Sequence, residues 1–207
     1  MLNKAGMVCA VLVLLTSAGW AQDDSRLNLA VNLGEAFSKQ SSGNGVVLTP
    51  TNNPTIFGTA RLNVGKKSAF ELTIGKVSNT QKYFVSPLTI SLASSTTEYT
   101  GAYVFRPFAA GKFDTFLLGG AGILRFYPSY YAYVDGSPFP LNAQTQTRPT
   151  FLYGAGLDYK AYWKFAVRVQ YRGLFYRAPD FKVTGVNLNP SANGHLAEPS
   201  VGLVFKF

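Results

Sequence analysis

Residues 148–177 (RPTFLYGAGLDYKAYWKFAVRVQYRGLFYR) alternate between apolar and polar positions with a period of two. Phe151, Tyr153, Ala155, Leu157 and Tyr159 fall on one face, and Leu152, Gly154, Gly156 and Asp158 on the other. After a break at Lys160–Trp163 the apolar face resumes with Phe165, Val167, Val169, Tyr171, Gly173 and Phe175. Opposite it lie Ala166, Arg168, Gln170, Arg172 and Leu174. Successive side chains of a strand point to opposite sides, so this stretch reads as a β-hairpin with one oily face. Its other face, with arginines, an aspartate and glycines, is a poor core for a water-soluble protein. Apolar outside and polar inside suits a barrel whose solvent is lipid.

The same alternation recurs along the chain. Leu27, Leu29, Val31 and Leu33 oppose Asn28, Ala30 and Asn32 in a first strand. Ile56, Gly58, Ala60, Leu62 and Val64 point outward in a second, at about 55–65, with Thr59, Arg61 and Asn63 inward. A third places Phe70, Leu72 and Ile74 outward and Glu71 and Thr73 inward. A fourth, at 96–106, turns Glu98, Thr100, Ala102 and Arg106 inward. The fifth, 113–126, is apolar on both faces; placing aromatics toward the membrane puts Phe116, Leu118, Leu124 and Phe126 outward. Strands six and seven are the hairpin above. The eighth ends the chain with Val201, Leu203, Phe205 and Phe207 outward and Glu198, Ser200, Gly202 and Lys206 inward.

Short connections at 65–68, 107–112 and 160–163 alternate with long ones at 38–54, 78–95, 127–149 and 178–194. Brief periplasmic turns alternating with long surface loops are the mark of an outer-membrane barrel. Segment 78–95 is the least regular. Leu88, Ile90 and Leu92 alternate out of phase with Tyr99, Tyr103 and Phe105, which predicts a bulge or loop between them. It reads as a long loop, partly strand, and a ten-stranded barrel remains the alternative. The fold expected is all-β: an eight-stranded antiparallel, transmembrane, up-and-down barrel with both termini on the periplasmic side.

The N-terminus bears on where the chain goes. Lys4, the apolar run Met7–Thr16 and the small residues of Gly19-Trp20-Ala21 form a secretory signal peptide, residues 1–21. Its apolar run is too short for a membrane-spanning helix, which needs about 20 apolar residues. One barrel domain, 22–207, follows, and no peptidoglycan-binding domain is expected after it. The lone cysteine, Cys9, lies in the leader, so a disulfide scaffold, a thiol nucleophile and a cysteine metal site are excluded. The net charge is +9, one less once Lys4 is removed. For an exported chain this points away from nucleic acid and toward anionic head groups, or simply a solvated rim, at Lys66, Lys67, Lys112, Lys160 and Lys164. Aromatic and charged residues each make up 14%, a balance foreign to soluble proteins but natural where aromatic girdles meet two membrane interfaces.

With YGAGLDYKAYWKFAVRVQYR, the alternating PSVGLVFKF and the terminal Phe207, the chain resembles the bacterial outer-membrane β-barrel domain family. Its members include the transmembrane domain of outer-membrane protein A and outer-membrane protein X. The resemblance implies insertion in the outer membrane among its lipids and lipopolysaccharide. It also implies an assembly signal at Val201, Leu203, Phe205 and Phe207 that the barrel-assembly machinery reads.

Candidate chemistry is sparse. His195 is the only histidine, and Glu198 follows at the opposite strand parity. Lipid A deacylases of this architecture carry a His-x-Ser-Asn run, whereas here His195 precedes Leu196, Ala197 and Glu198. No catalytic, metal or cofactor-binding residue is therefore assigned, and no cofactor is expected. The inward charges Arg61, Glu71, Glu98, Arg106, Asp158, Arg168, Arg172, Glu198 and Lys206 predict a paired network plugging the lumen. The role expected is structural, or surface interaction with an unknown ligand through the long loops. A small pore, a lipid A-modifying enzyme and a lipocalin-like carrier are the alternatives.

Overall fold

The computed structural model describes residues 25–183 and 186–207; the signal peptide expected at 1–21 lies outside them. Among the described residues there are twelve strands and no helix: β1 (Leu27–Ser38), β2 (Ser41–Gly43), β3 (Val46–Pro50), β4 (Asn53–Asn63), β5 (Ser68–Val85), β6 (Leu88–Phe105), β7 (Ala109–Ala110), β8 (Phe113–Val134), β9 (Ser137–Pro140), β10 (Gln146–Tyr162), β11 (Phe165–Arg177) and β12 (Asn193–Lys206). Eight of them, β1, β4, β5, β6, β8, β10, β11 and β12, pair antiparallel in sequence order, and β12 closes onto β1. Closure leaves no edge strand inside the bilayer, where unpaired backbone groups have no water to bind.

Hydrogen-bonded neighbours followed from Asn28 through Arg61, Glu71, Ala102, Gly120, Leu152, Leu174 and Leu196 return to β1 at Ser38, ten residues along. An offset of ten over eight strands tilts each strand by about 40° from the barrel axis. The wall is a girdled apolar cylinder. Leu72, Leu203, Leu33 and Ile74 are all more than 60% exposed, a cost in water and a gain in hydrocarbon.

Three expectations need correction. Segment 78–95 is not a long loop: β5 and β6 run straight through it and turn back at Ser86-Pro87. β6 keeps one phase throughout, with Ile90 and Leu92 buried on the same side as Glu98 and Thr100. What changes is the surroundings. In the bilayer the apolar side chains face out to lipid; above it the outside is water, so they face in. The register shift lies on β8, where three residues, 129–131, stand against Ala93 of β6. Segment 127–149 is likewise largely strand: β8 continues to Val134, and Asp135 and Gly136, both at positive φ, turn it into β9.

The third correction concerns the facing of β8. Phe116, Leu118, Leu124 and Phe126 are buried inside, while Phe113, Leu117 and Ile123 face lipid. The interior needs Phe116 as a platform for two guanidinium groups, and Gly156 on β10 makes room for it. A Cβ at Gly156 would lie 2.4 Å from the Phe116 ring.

The outer end of the barrel holds an apolar cluster of its own. Tyr83, Ile90, Leu92, Phe126, Phe181 and Leu188 are buried together there. Phe181 comes from the segment after β11, and its backbone takes φ of 50°, a left-handed conformation that a bulky residue adopts only when held. It is held by Tyr83 and Phe126, whose rings meet it edge-on at 6.4 Å. The Tyr83 hydroxyl also donates to the Pro179 carbonyl at 2.8 Å. Burial pushes the Tyr83 phenol well above its ordinary range, so it keeps the proton that this bond requires.

Candidate functional site

Below that cluster the barrel interior is ionic. β4 and β5 lie side by side with Arg61 opposite Glu71, and β10 and β11 with Asp158 opposite Arg168. Each pair follows from strand register, because directly opposed residues on one face bring their side chains together. Across the lumen the two pairs merge. Arg168 donates through Nε and Nη2 to the two oxygens of Asp158 at 2.7 and 2.9 Å, a bidentate fork. Its remaining Nη1 reaches Glu71 Oε2 at 3.1 Å and Thr59 Oγ1 at 3.4 Å. Arg61 binds the same Glu71 oxygen at 2.7 and 2.8 Å and stands 3.7 Å from Asp158. The Phe116 ring lies 4.0 Å from the Arg61 guanidinium carbon and 4.9 Å from that of Arg168. Two cations and two anions balance, and all four side chains are at most 2% exposed.

A second cluster lies one turn of the ladder higher. Arg172 bonds Glu98 and stands 3.5 Å from Glu198, with the Phe57 ring 4.4 Å from its guanidinium carbon. Thr100 donates to Glu98 at 2.6 Å. Arg106 sits at the periplasmic mouth, 3.3 Å from Asp114 and bonded to the Gly65 and Lys66 carbonyls. Lys206 faces the same mouth, half-buried. Seven of the nine inward charges thus form two buried clusters, and Arg106 and Lys206 stand apart from them. Val201, Leu203 and Phe207 are exposed on the outer wall; Phe205, half-buried beside them, meets the Phe165 and Phe207 rings at 5.0 and 4.6 Å.

His195 is outside the lumen. It packs on Phe175 at 4.5 Å between ring centroids, and its Nε2 is 3.0 Å from the Tyr153 hydroxyl. Glu198 is buried within.

Asp114, Phe57 and Phe116 also contact the interior guanidinium groups and are missing from the network expected there. Asp114 carries the signal that would have found Phe116. It shares parity with Phe116 and Leu118, and a carboxylate on a membrane-spanning strand belongs on the lumen side.

The sequence profile of the outer membrane protein beta-barrel domain matches residues 7–193. The chain belongs to this family. The barrel is similar to neisserial surface protein A, at a TM-score of 0.56 and 14% identity over 90% of this chain and 100% of that one. It is also similar to the outer membrane protein OprG from Pseudomonas aeruginosa, at 0.54 and 13% over 91% and 99%. No curated protein sequence matches the chain significantly. At such identities the likeness is one of fold. Family membership places the barrel in the outer membrane of the Gram-negative envelope; barrels of this kind turn their short connections toward the periplasm.

Proposed function

We propose that the protein is a non-conducting, non-enzymatic barrel with a structural or surface-interaction role, its lumen sealed by side chains. The observation that carries this is the merged Arg61–Glu71–Asp158–Arg168 cluster, desolvated and charge-balanced across the full width of the lumen. An eight-stranded interior is about filled by its own side chains, and buried ions persist only when paired. The apolar stopper around Phe181 supports the same reading from the outer end. Two further features favour a role without catalysis. The only histidine is on the lipid-facing wall, engaged by Tyr153, and the nearest carboxylate in sequence faces the lumen.

Residues 1–21 are removed on export in this account, leaving 22–207 as the barrel. Val201, Leu203, Phe205 and Phe207 present the alternating apolar edge that the assembly machinery recognises. Contact with an extracellular ligand falls to the upstanding β5, β6, β8 and β9, where Tyr130, Tyr131, Tyr133 and Phe139 are more than half exposed. Planar-bilayer recording of the purified barrel tests the seal. The baseline should stay silent for wild type, whereas sustained current steps that change on Arg168→Ala would establish a pore and defeat the proposal.

A further inference from the structure

The outer wall of β5, β6 and β8 changes chemistry in successive rungs. Ile74, Tyr99 and Ile123 are hydrogen-bonded neighbours, each more than 40% exposed, and form the last apolar rung. Two residues further toward the outside come Lys76, Thr97 and Arg125, again neighbours on one rung. Lys76 and Arg125 are exposed, and among the described residues neither has a carboxylate within 4 Å. The next rung is Ser78, Ser95 and Tyr127, with the two serine hydroxyls 3.5 Å apart and the Arg125 guanidinium carbon 5.1 Å from the Tyr127 ring centre. Rungs two residues apart are separated by about 6.8 Å along a strand.

On the last rung the wall opens into a groove of about 400 Å³ lined by Asn53, Ser78, Thr80, Ser95, Tyr127 and Ser129. The extra residues of β8 opposite Ala93 create it, since a bulge bends its strand and interrupts pairing. Its lining combines hydroxyls, the amides of Asn53 and Asn79 and one aromatic ring with the apolar Ala93 and Pro128. Hydroxyls and amides suit the donor and acceptor pattern of a sugar, and an exposed aromatic face suits its C–H surface.

We infer that this strip is a binding site for a phosphorylated glycolipid of the outer leaflet, with its acyl chains against Ile74 and Ile123, its phosphate between Lys76 and Arg125, and its saccharide in the groove. The order apolar, cationic, hydroxyl-rich reproduces the order acyl chain, phosphate, sugar along one lipid. Ser78, Ser95 and Tyr127 of the groove stand on the outward face of the wall, one rung from Lys76 and Arg125 and two from the apolar rung, so its occupant is a neighbour in the leaflet rather than a glycan from the medium. Arginine and lysine together supply a forked donor and a point charge for phosphate. The site rests on the outer-membrane location alone. It is independent of whether the lumen conducts.

Native mass spectrometry of the full barrel in detergent, titrated with defined lipids, tests this. The probes are lipopolysaccharide bearing core sugars, bisphosphorylated lipid A without the core oligosaccharide, its dephosphorylated form, phosphatidylglycerol and soluble core oligosaccharide. Affinity should fall in the order core-bearing, core-free, dephosphorylated. Lys76→Ala with Arg125→Ala should weaken both phosphorylated lipids about tenfold or more. Tyr127→Ala should weaken only the core-bearing one. Lys66→Ala with Lys67→Ala, which removes the same charge from a periplasmic turn, should change neither. All these side chains lie on the surface, and heat-dependent electrophoretic mobility verifies that each variant is a folded barrel. Equal affinity for dephosphorylated lipid or phosphatidylglycerol, or an equal loss in the periplasmic double variant, would overturn the site. Soluble oligosaccharide binding as tightly as the lipid would overturn the membrane occupant in favour of a glycan from the medium.

Discussion

Arg168→Met should lower the unfolding free energy of the barrel by about 3–5 kcal/mol, measured by urea titration in lipid vesicles. Arg168 is the residue that joins the two halves of the ionic cluster. It grips Asp158 with two parallel bonds and reaches across to Glu71, all out of contact with water. Methionine fills much of the same volume, so the loss comes from leaving two buried carboxylates to share Arg61 alone. A second change should therefore give part of the energy back: adding Asp158→Asn removes the orphaned charge, and the double variant should be more stable than Arg168→Met by itself. A double variant no better than the single would mean that the ion pairing is not what Arg168 contributes.

Leu72→Arg should destabilise the barrel by about 2–4 kcal/mol in the same assay, because it sets a cation on the lipid face near mid-bilayer. Leu72 is 68% exposed, with Phe70 and Ile74 on either side of it along the same face. Two rungs further out the strand carries Lys76 natively. Ile74→Arg, between them, should cost less than Leu72→Arg, since the penalty falls toward the interface. An exposed leucine on a soluble protein would tolerate arginine with no loss, so the size and depth dependence of the effect report lipid contact directly.

Most of the wall was legible in the sequence because it obeys one rule. Wherever lipid lies outside and charge inside, the period of two assigns every residue, as at Arg61, Glu71, Asp158 and Arg168. β8 broke that rule with apolar residues on both faces. Its interior needs aromatic platforms, Phe116 under two guanidinium groups and Phe126 against Phe181, and a preference for aromatics at the membrane sent them the wrong way. The extensions of β5, β6 and β8 broke it differently. There the solvent outside is water, so Ile90 and Leu92 face inward, and the reversal looked like a register break. The apolar cluster at the outer end was not legible at all: that Phe181 and Leu188 pack there depends on a left-handed turn and on partners from three distant strands. Nor was the rung of Lys76, Thr97 and Arg125, since its neighbours are 21 and 28 residues apart and only register brings them level.

The inside–outside assignment is the central claim, and a spin-label scan along β5 tests it most directly. The lone cysteine lies at position 9, so single cysteines from Ala69 to Tyr83 can be labelled one at a time in the mature chain. Oxygen, which partitions into lipid, should relax labels at 70, 72 and 74. A water-soluble nickel complex should relax those at 78, 80 and 82. Positions 69, 71, 73, 77, 81 and 83 should be shielded from both. Oxygen access at the odd positions 71 and 73, or no alternation at all, would contradict the account.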